Sequence, residues 1–194
     1  STGSIGRQTL ALLREEPGLF EVVGLAARRS SDLLAQQVEE FRPRFVAMTD
    51  EAAAAALRPK LHASTKLFSG PLALEEIALE ADYDVAVHGV VGAAGLLASV
   101  RVLERGRILA LANKESLVMA GAKLVALARE RGGEIVPVDS EHSAILQCLR
   151  GERVDRVRRV ILTASGGPFR ACSLEEFRTA TPEMALRHPN WDMG

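Results

Sequence analysis

The chain has 194 residues, 47% of them hydrophobic, and a formal net charge of −1. That length accommodates one large domain, or one domain with part of a second, around a sizeable core. A near-neutral balance with no long single-sign block excludes the basic stripe that follows a nucleic-acid backbone.

In chain order, short apolar runs alternate with helical patterns. A strand is expected at 21–26, a helix at 32–41 and a strand at 44–48. An alanine-rich helix at 51–57, a short strand at 66–68, a helix at 72–79 and a strand at 84–87 follow. A helix at 92–105, a strand at 107–111, a long helix at 114–131 and a strand at 134–138 complete the series. This rhythm implies an α/β fold, a Rossmann-like doubly wound, mostly parallel sheet, with ligands at the carboxyl ends of its strands. Aromatics make up only 4%, so Ala, Val, Leu and Ile must fill the core, as in parallel sheets covered by helices. Beyond residue 138 the rhythm changes to a helix at 141–149, an apolar strand at 158–163, a Gly-Gly turn, a helix at 174–178 and a proline-containing tail. The expected domains are therefore 1–137, nucleotide-binding, and 138–194, the start of an α+β catalytic domain.

The apolar stretch 85–100 is interrupted by His88 and three glycines, which argues against a membrane span. Cys148 and Cys172 share no metal-ligand spacing and read as thiols of a reducing compartment. No signal-peptide pattern is visible, and a cytoplasmic location is expected.

The opening Ser1-Thr2-Gly3-Ser4-Ile5-Gly6 runs into a helical pattern. A glycine turn entering a helix presents free backbone N–H groups to a pyrophosphate; Gly3 would permit close approach and Gly6 close packing. An ordinary helix-starting turn is the competing reading. Such a turn normally follows a strand, so a preceding strand is expected outside these residues. After the strand at 21–26 come Arg28, Arg29 and Ser30. Two guanidiniums and a hydroxyl suit a 2′-phosphate and favour NADPH over NADH, against the alternative of a solvated basic turn.

Lys114, one of four lysines, stands between a strand and the long helix in Leu111-Ala112-Asn113-Lys114-Glu115-Ser116-Leu117. Its ammonium can bind a substrate oxygen or neutralise developing charge. Asn113 and Glu115 are candidates for the nicotinamide ribose, with simple helix capping as the alternative. In Pro137-Val138-Asp139-Ser140-Glu141-His142, an extended backbone would turn Asp139 and Glu141 to one side. Two hard carboxylates suit Mg²⁺ or Mn²⁺, and Ser140 is a possible substrate ligand; an acidic helix N-terminus is the competing reading. Ser165 lies in a Gly-Gly turn able to nest a phosphate. Trp191, the sole tryptophan, lies in a His188-to-Gly194 segment able to close over a ligand.

Taken in order, these segments, with Val90-Val91-Gly92-Ala93-Ala94-Gly95-Leu96, closely resemble the 1-deoxy-D-xylulose 5-phosphate reductoisomerase family over essentially the whole chain. The resemblance implies NADPH, a divalent metal (Mg²⁺ or Mn²⁺) and conversion of 1-deoxy-D-xylulose 5-phosphate to 2-C-methyl-D-erythritol 4-phosphate in isoprenoid biosynthesis. It implies that Thr2, Gly3, Ser4 and Ile5 line the NADPH phosphates, with Arg29 and Ser30 near the 2′-phosphate. It also places Asn113, Glu115 and Gly194 at NADPH, and Asp139 and Glu141 at the metal. Lys114, Ser140, Glu141, Ser165, His188 and Trp191 are implied at the substrate, with Lys114, Asp139 and Glu141 as the catalytic set. Arg28 departs from the glycine common in the family. A further Ser, an Asn-Lys pair and a Glu follow the flap in the family, and a homodimer with a sugar-phosphate substrate is implied. Two other readings are another NADPH-dependent dehydrogenase without metal chemistry, and a non-catalytic NADPH-binding module.

Overall fold

The computed structural model describes residues 1–163 and 166–187. Its contacts divide into two compact units, 1–143 and 144–194.

In the first unit, helix α1 (Ser4–Glu15) precedes strand β1 (Gly24–Ala27), α2 (Ser31–Phe41), β2 (Phe45–Met48), α3 (Glu51–Leu57) and β3 (Lys66–Ser69). The second half holds α4 (Ala73–Glu80), β4 (Val85–His88), α5 (Leu96–Glu104), β5 (Ile108–Leu111), α6 (Lys114–Arg131) and β6 (Glu134–Pro137). The strands form two three-stranded sheets, ordered β1-β2-β3 and β4-β5-β6, and every pairing is parallel. The α/β alternation expected from the sequence is thus present, with element ends displaced by a few residues.

Parallel strands are covered on both faces, and β2 shows how. Val46 and Met48 enter a cluster with Leu10, Leu25, Leu34, Val38, Ala54 and Leu57. Ala47, from the opposite face, packs with Phe68 and Ala73. The β4–β6 sheet has its own cluster of Ala78, Val102, Leu103, Leu109, Leu111, Leu124 and Ala128. Leu34, Met48, Leu57, Leu103 and Leu109 have no appreciable exposure.

Local chemistry sets the helix ends. The Asp50 carboxylate accepts from the Ala53 amide at 3.0 Å and starts α3. Asn113 caps α6, and Gly132, at φ 70, ends it in the left-handed conformation glycine tolerates. The helix expected over 92–105 is shorter: a 3-10 turn over Ala93–Gly95 precedes α5. Gly92, at φ 74, makes a turn there rather than a helical residue.

In the second unit, α8 (Leu174–Arg178) starts from a capping box between Ser173 and Glu176, and α9 (Pro182–Leu186) from Thr181. Helix α7 (Ser140–Leu149) runs across the division. The strand expected at 158–163 is not formed. These residues have no ladder partner among the described residues, and Val160, Ile161 and Leu162 are 54%, 68% and 64% exposed. Apolar, β-branched sequence favours an extended chain, but a strand needs a neighbour to take its backbone hydrogen bonds. No described helix is long and apolar enough to cross a membrane.

Candidate functional site

The opening turn sits at the carboxyl ends of two strands from different sheets. The Ser1 backbone nitrogen donates to the Ala26 carbonyl of β1, and the Ser1 hydroxyl donates to Gln37 of α2 at 2.6 Å. On the other side, a Cβ on Gly89, just after β4, would lie 3.0 Å from the Ile5 side chain. A Cβ on Gly6 would collide with the Ser1 backbone, so the close turn requires glycine there. Gly3 faces open space, with no heavy atom within 4 Å of a built Cβ. Among the described residues no side chain caps α1, and no acidic residue lies in its first turn. Its leading N–H groups and positive dipole end are therefore left for an anion, the geometry a pyrophosphate needs.

Arg28, Arg29 and Ser30 follow β1 at the same end. Arg29 Nε donates to Asp50 Oδ2 at 3.0 Å. The Ala53 amide and then the Arg29 guanidinium hold the Asp50 carboxyl below its ordinary range. The Asp50 amide donates to the Arg28 carbonyl, so the basic turn is tied to the start of α3. The Arg28 side chain is exposed and has no partner among the described residues. This arrangement offers one oriented and one free guanidinium to a phosphate.

The acidic segment follows β6. Lys114 Nζ, at the first residue of α6, donates to Asp139 Oδ2 at 2.7 Å. His142 Nδ1 lies 3.1 Å from Asp139 Oδ1. The Asp139 side chain is only 12% exposed, and its bond with Lys114 is the main cause that holds its carboxyl below the usual range. The same bond raises the Lys114 pKa, so the ammonium stays charged. Ser140 Oγ donates to Glu141 Oε2 at 3.2 Å. The extended geometry expected for Asp139 and Glu141 is corrected here: α7 begins at Ser140, so the two carboxylates do not share a strand face. The reason is local, since an acidic first turn favours a helix N-terminus.

Among the described residues no group of three or more His, Cys, Asp or Glu side chains is placed to hold a metal. Asp139 nonetheless fits part of a cation site, because both its oxygens face cationic or potentially cationic nitrogens. With Glu141 two residues on, it could supply two hard oxygen donors to such a cation, the remaining places being left to water, substrate or other carboxylates.

Asn113 is 2% exposed and its amide is fully engaged. Its Oδ1 accepts from the Ser116 amide at 3.0 Å and from the Ser116 hydroxyl, while Nδ2 donates to the carbonyls of Val90 and Gly92. Glu115 is half-buried beside it in the first turn of α6. His88, which sequence reading treated only as an interruption, ends β4 at 7% exposure. Its Nε2 has no hydrogen-bond partner among the described residues, and burial lowers its pKa to about 4. An imidazole within an otherwise apolar strand was the available signal. A Cβ on Gly95 would strike this nitrogen, so glycine is needed there too. Ser165, His188, Trp191 and Gly194 lie outside the described residues.

The family model for 1-deoxy-D-xylulose 5-phosphate reductoisomerase matches residues 1–121, and the model for that enzyme's C-terminal domain matches residues 135–194. The chain is 48% identical over its whole length to the 1-deoxy-D-xylulose 5-phosphate reductoisomerase of Thermoanaerobacter pseudethanolicus, of which it covers 50%. Identity to the Crocosphaera subtropica enzyme of the same name is 45%, again over 100% of this chain and 50% of the relative. Among solved structures, the Zymomonas mobilis reductoisomerase in complex with NADPH matches with a TM-score of 0.90 at 41% identity, covering 97% of this chain and 50% of that one. A reductoisomerase complex with NADPH, fosmidomycin and magnesium matches at TM-score 0.86 and 36% identity, over 100% of this chain and 50% of that one. The chain thus spans about half the length of the curated relatives it matches, 50% of the first.

Proposed function

The chain belongs to the 1-deoxy-D-xylulose 5-phosphate reductoisomerase family, and from that premise we propose that it serves the NADPH- and divalent-metal-dependent conversion of 1-deoxy-D-xylulose 5-phosphate to 2-C-methyl-D-erythritol 4-phosphate. The observation that carries this reading is the Lys114–Asp139 pair at the carboxyl ends of β5 and β6, in the same compact unit as an uncapped glycine turn.

In this reading Thr2, Gly3, Ser4 and Ile5 receive the NADPH phosphates, and Arg28, Arg29 and Ser30 the 2′-phosphate. Relatives solved with NADPH and with magnesium support the cofactor assignment. Asp139 and Glu141 hold Mg²⁺ or Mn²⁺. When bound, the metal supplies Lewis acidity toward substrate oxygens and NADPH supplies the hydride. Lys114, kept charged, binds a substrate oxygen; Ser140 and Glu141 orient the same molecule. Asn113 and Glu115 face the nicotinamide ribose. Ser165 and His188 hold the far end of the substrate, Trp191 belongs to a closing flap and Gly194 touches NADPH. A nucleotide-binding domain over 1–137, a cytoplasmic location and a homodimer complete the proposal.

The test is metal-dependent loss of NADPH absorbance in the presence of 1-deoxy-D-xylulose 5-phosphate, with Asp139→Asn alongside. Turnover that needs the metal, and is abolished by Asp139→Asn while NADPH still binds, supports the reading; undiminished turnover of the variant at saturating metal overturns the metal assignment. A second reading, NADPH binding without turnover by this chain, is favoured by the two-carboxylate donor set among the described residues. Saturable NADPH binding with no turnover at any metal concentration would select it.

A further inference from the structure

Gln37 lies on the buried face of α2 beside Leu34 and Val38, neither of which is exposed, and its own exposure is only 4%. A side-chain amide in such a place needs hydrogen-bond partners, because burying it unpaired is costly. It finds an acceptor and a donor in one residue. Its Oε1 accepts from the Ser1 hydroxyl at 2.6 Å, and its Nε2 donates to the Ser1 carbonyl at 3.3 Å. An apolar side chain would suit the core at this position equally well, so it is Ser1, not the packing of α2, that calls for an amide.

Ser1 is the near end of the glycine turn. Its backbone nitrogen donates to the Ala26 carbonyl of β1. Its carbonyl, which Gln37 holds, lies where a Cβ on Gly6 would collide. Contacts therefore run in series from α2 through Gln37 to Ser1, and from Ser1 to the first turn of α1. The far end of the turn is held by α1 itself, where the Arg7 amide donates to the Gly3 carbonyl at 2.9 Å. Helix α2 also begins at the basic turn, with the Leu34 amide donating to the Ser30 carbonyl at 3.0 Å. One helix thus carries Arg28, Arg29 and Ser30 at its start and the grip on the glycine turn roughly two turns further along.

We propose that Gln37 is a positioning residue for the phosphate site: its side-chain amide pins the glycine turn to α2, and so fixes the spacing between the open N–H groups of α1 and the basic residues that precede α2. The effect on cofactor affinity rests on the NADPH reading above; the pin itself does not.

Gln37→Leu keeps the helix propensity and apolar contacts of α2 while removing both bonds to Ser1. Ser1→Ala removes the hydroxyl bond alone. NADPH affinity is titrated on the parent, both variants and the double variant, and amide hydrogen exchange is followed on the cofactor-free chain. The NADPH Kd is expected to rise roughly tenfold for Gln37→Leu and roughly threefold for Ser1→Ala, the scale of two and one neutral hydrogen bonds at a partly solvated site. The double variant should bind no more weakly than Gln37→Leu, since the hydroxyl bond has already lost its partner. Exchange over 7–9, the first bonded amides of α1, should accelerate with α2, β1 and β2 unchanged. Losses that multiply in the double variant would overturn the proposal, because the two residues would then act separately, and so would an unchanged Kd in Gln37→Leu. Weaker binding with unchanged exchange over 7–9 would replace the pin by a direct contact with the cofactor. Faster exchange spread over α2, β1 and β2 would replace it by general destabilisation. If the parent binds no NADPH, the cofactor reading fails, while the exchange comparison still decides the pin.

Discussion

His88 makes the chain's stability fall in mild acid. Buried at the end of β4 with Nε2 unpartnered among the described residues, its imidazole stays neutral down to about pH 4, against an ordinary value of 6.5. Burial is the cause, with no compensating charge beside the ring among the described residues. Once unfolded, the imidazole takes its proton near the ordinary value, so the unfolded state holds more protons throughout the window between the two. Stability must then fall as the pH drops through 6.5, with the loss complete below about 4. A gap of roughly 2.5 pKa units, at ~1.4 kcal/mol each, amounts to about 3 kcal/mol. About 2 kcal/mol of this falls between roughly pH 7 and pH 5, a drop of roughly 4–8 °C in Tm. Thermal or urea unfolding at both pH values, on the parent and on His88→Asn, measures it. Groups common to both proteins cancel in the difference. Carboxylates held low, such as Asp139 and Asp50, are lost only at lower pH. If His88→Asn loses as much stability as the parent over this range, the reasoning is refuted.

Two further outcomes are expected. Gly6→Ala drives a methyl into the Ser1 backbone, so NADPH binding should be lost while the β4–β6 sheet keeps its hydrogen-exchange protection; retained affinity would mean that the turn is not the phosphate cradle. Lys114→Met removes the main group holding Asp139 low, so the Asp139 carboxyl, followed by carbon NMR, should titrate closer to its ordinary value; an unmoved titration would show that His142 or the Asp139 backbone contacts set it instead.

The alternation of elements was legible because parallel strands and amphipathic helices carry their own periodicities. Helices α3 and α6 begin and end where the residues imply, since Asp50, Asn113 and Gly132 act within a turn of their own positions. The segment 158–163 misled for the opposite reason: its composition suits a strand, but a ladder needs a partner that local sequence does not specify. The extended backbone expected at Asp139 and Glu141 gives way to a helix start at Ser140, because an acidic turn also suits a helix N-terminus. Chain order alone thus determined the layered α/β class, the glycine turn and the chemistry of the basic and acidic segments, all matters of local residue type and spacing. Tertiary structure decided what those residues face: that Lys114 meets Asp139, that Arg29 meets Asp50, that Asn113 spends its amide on the loop 89–95 and that His88 loses its solvent. Each pairing joins residues more than twenty positions apart, and only the packing of strands and helices brings such positions within hydrogen-bond reach.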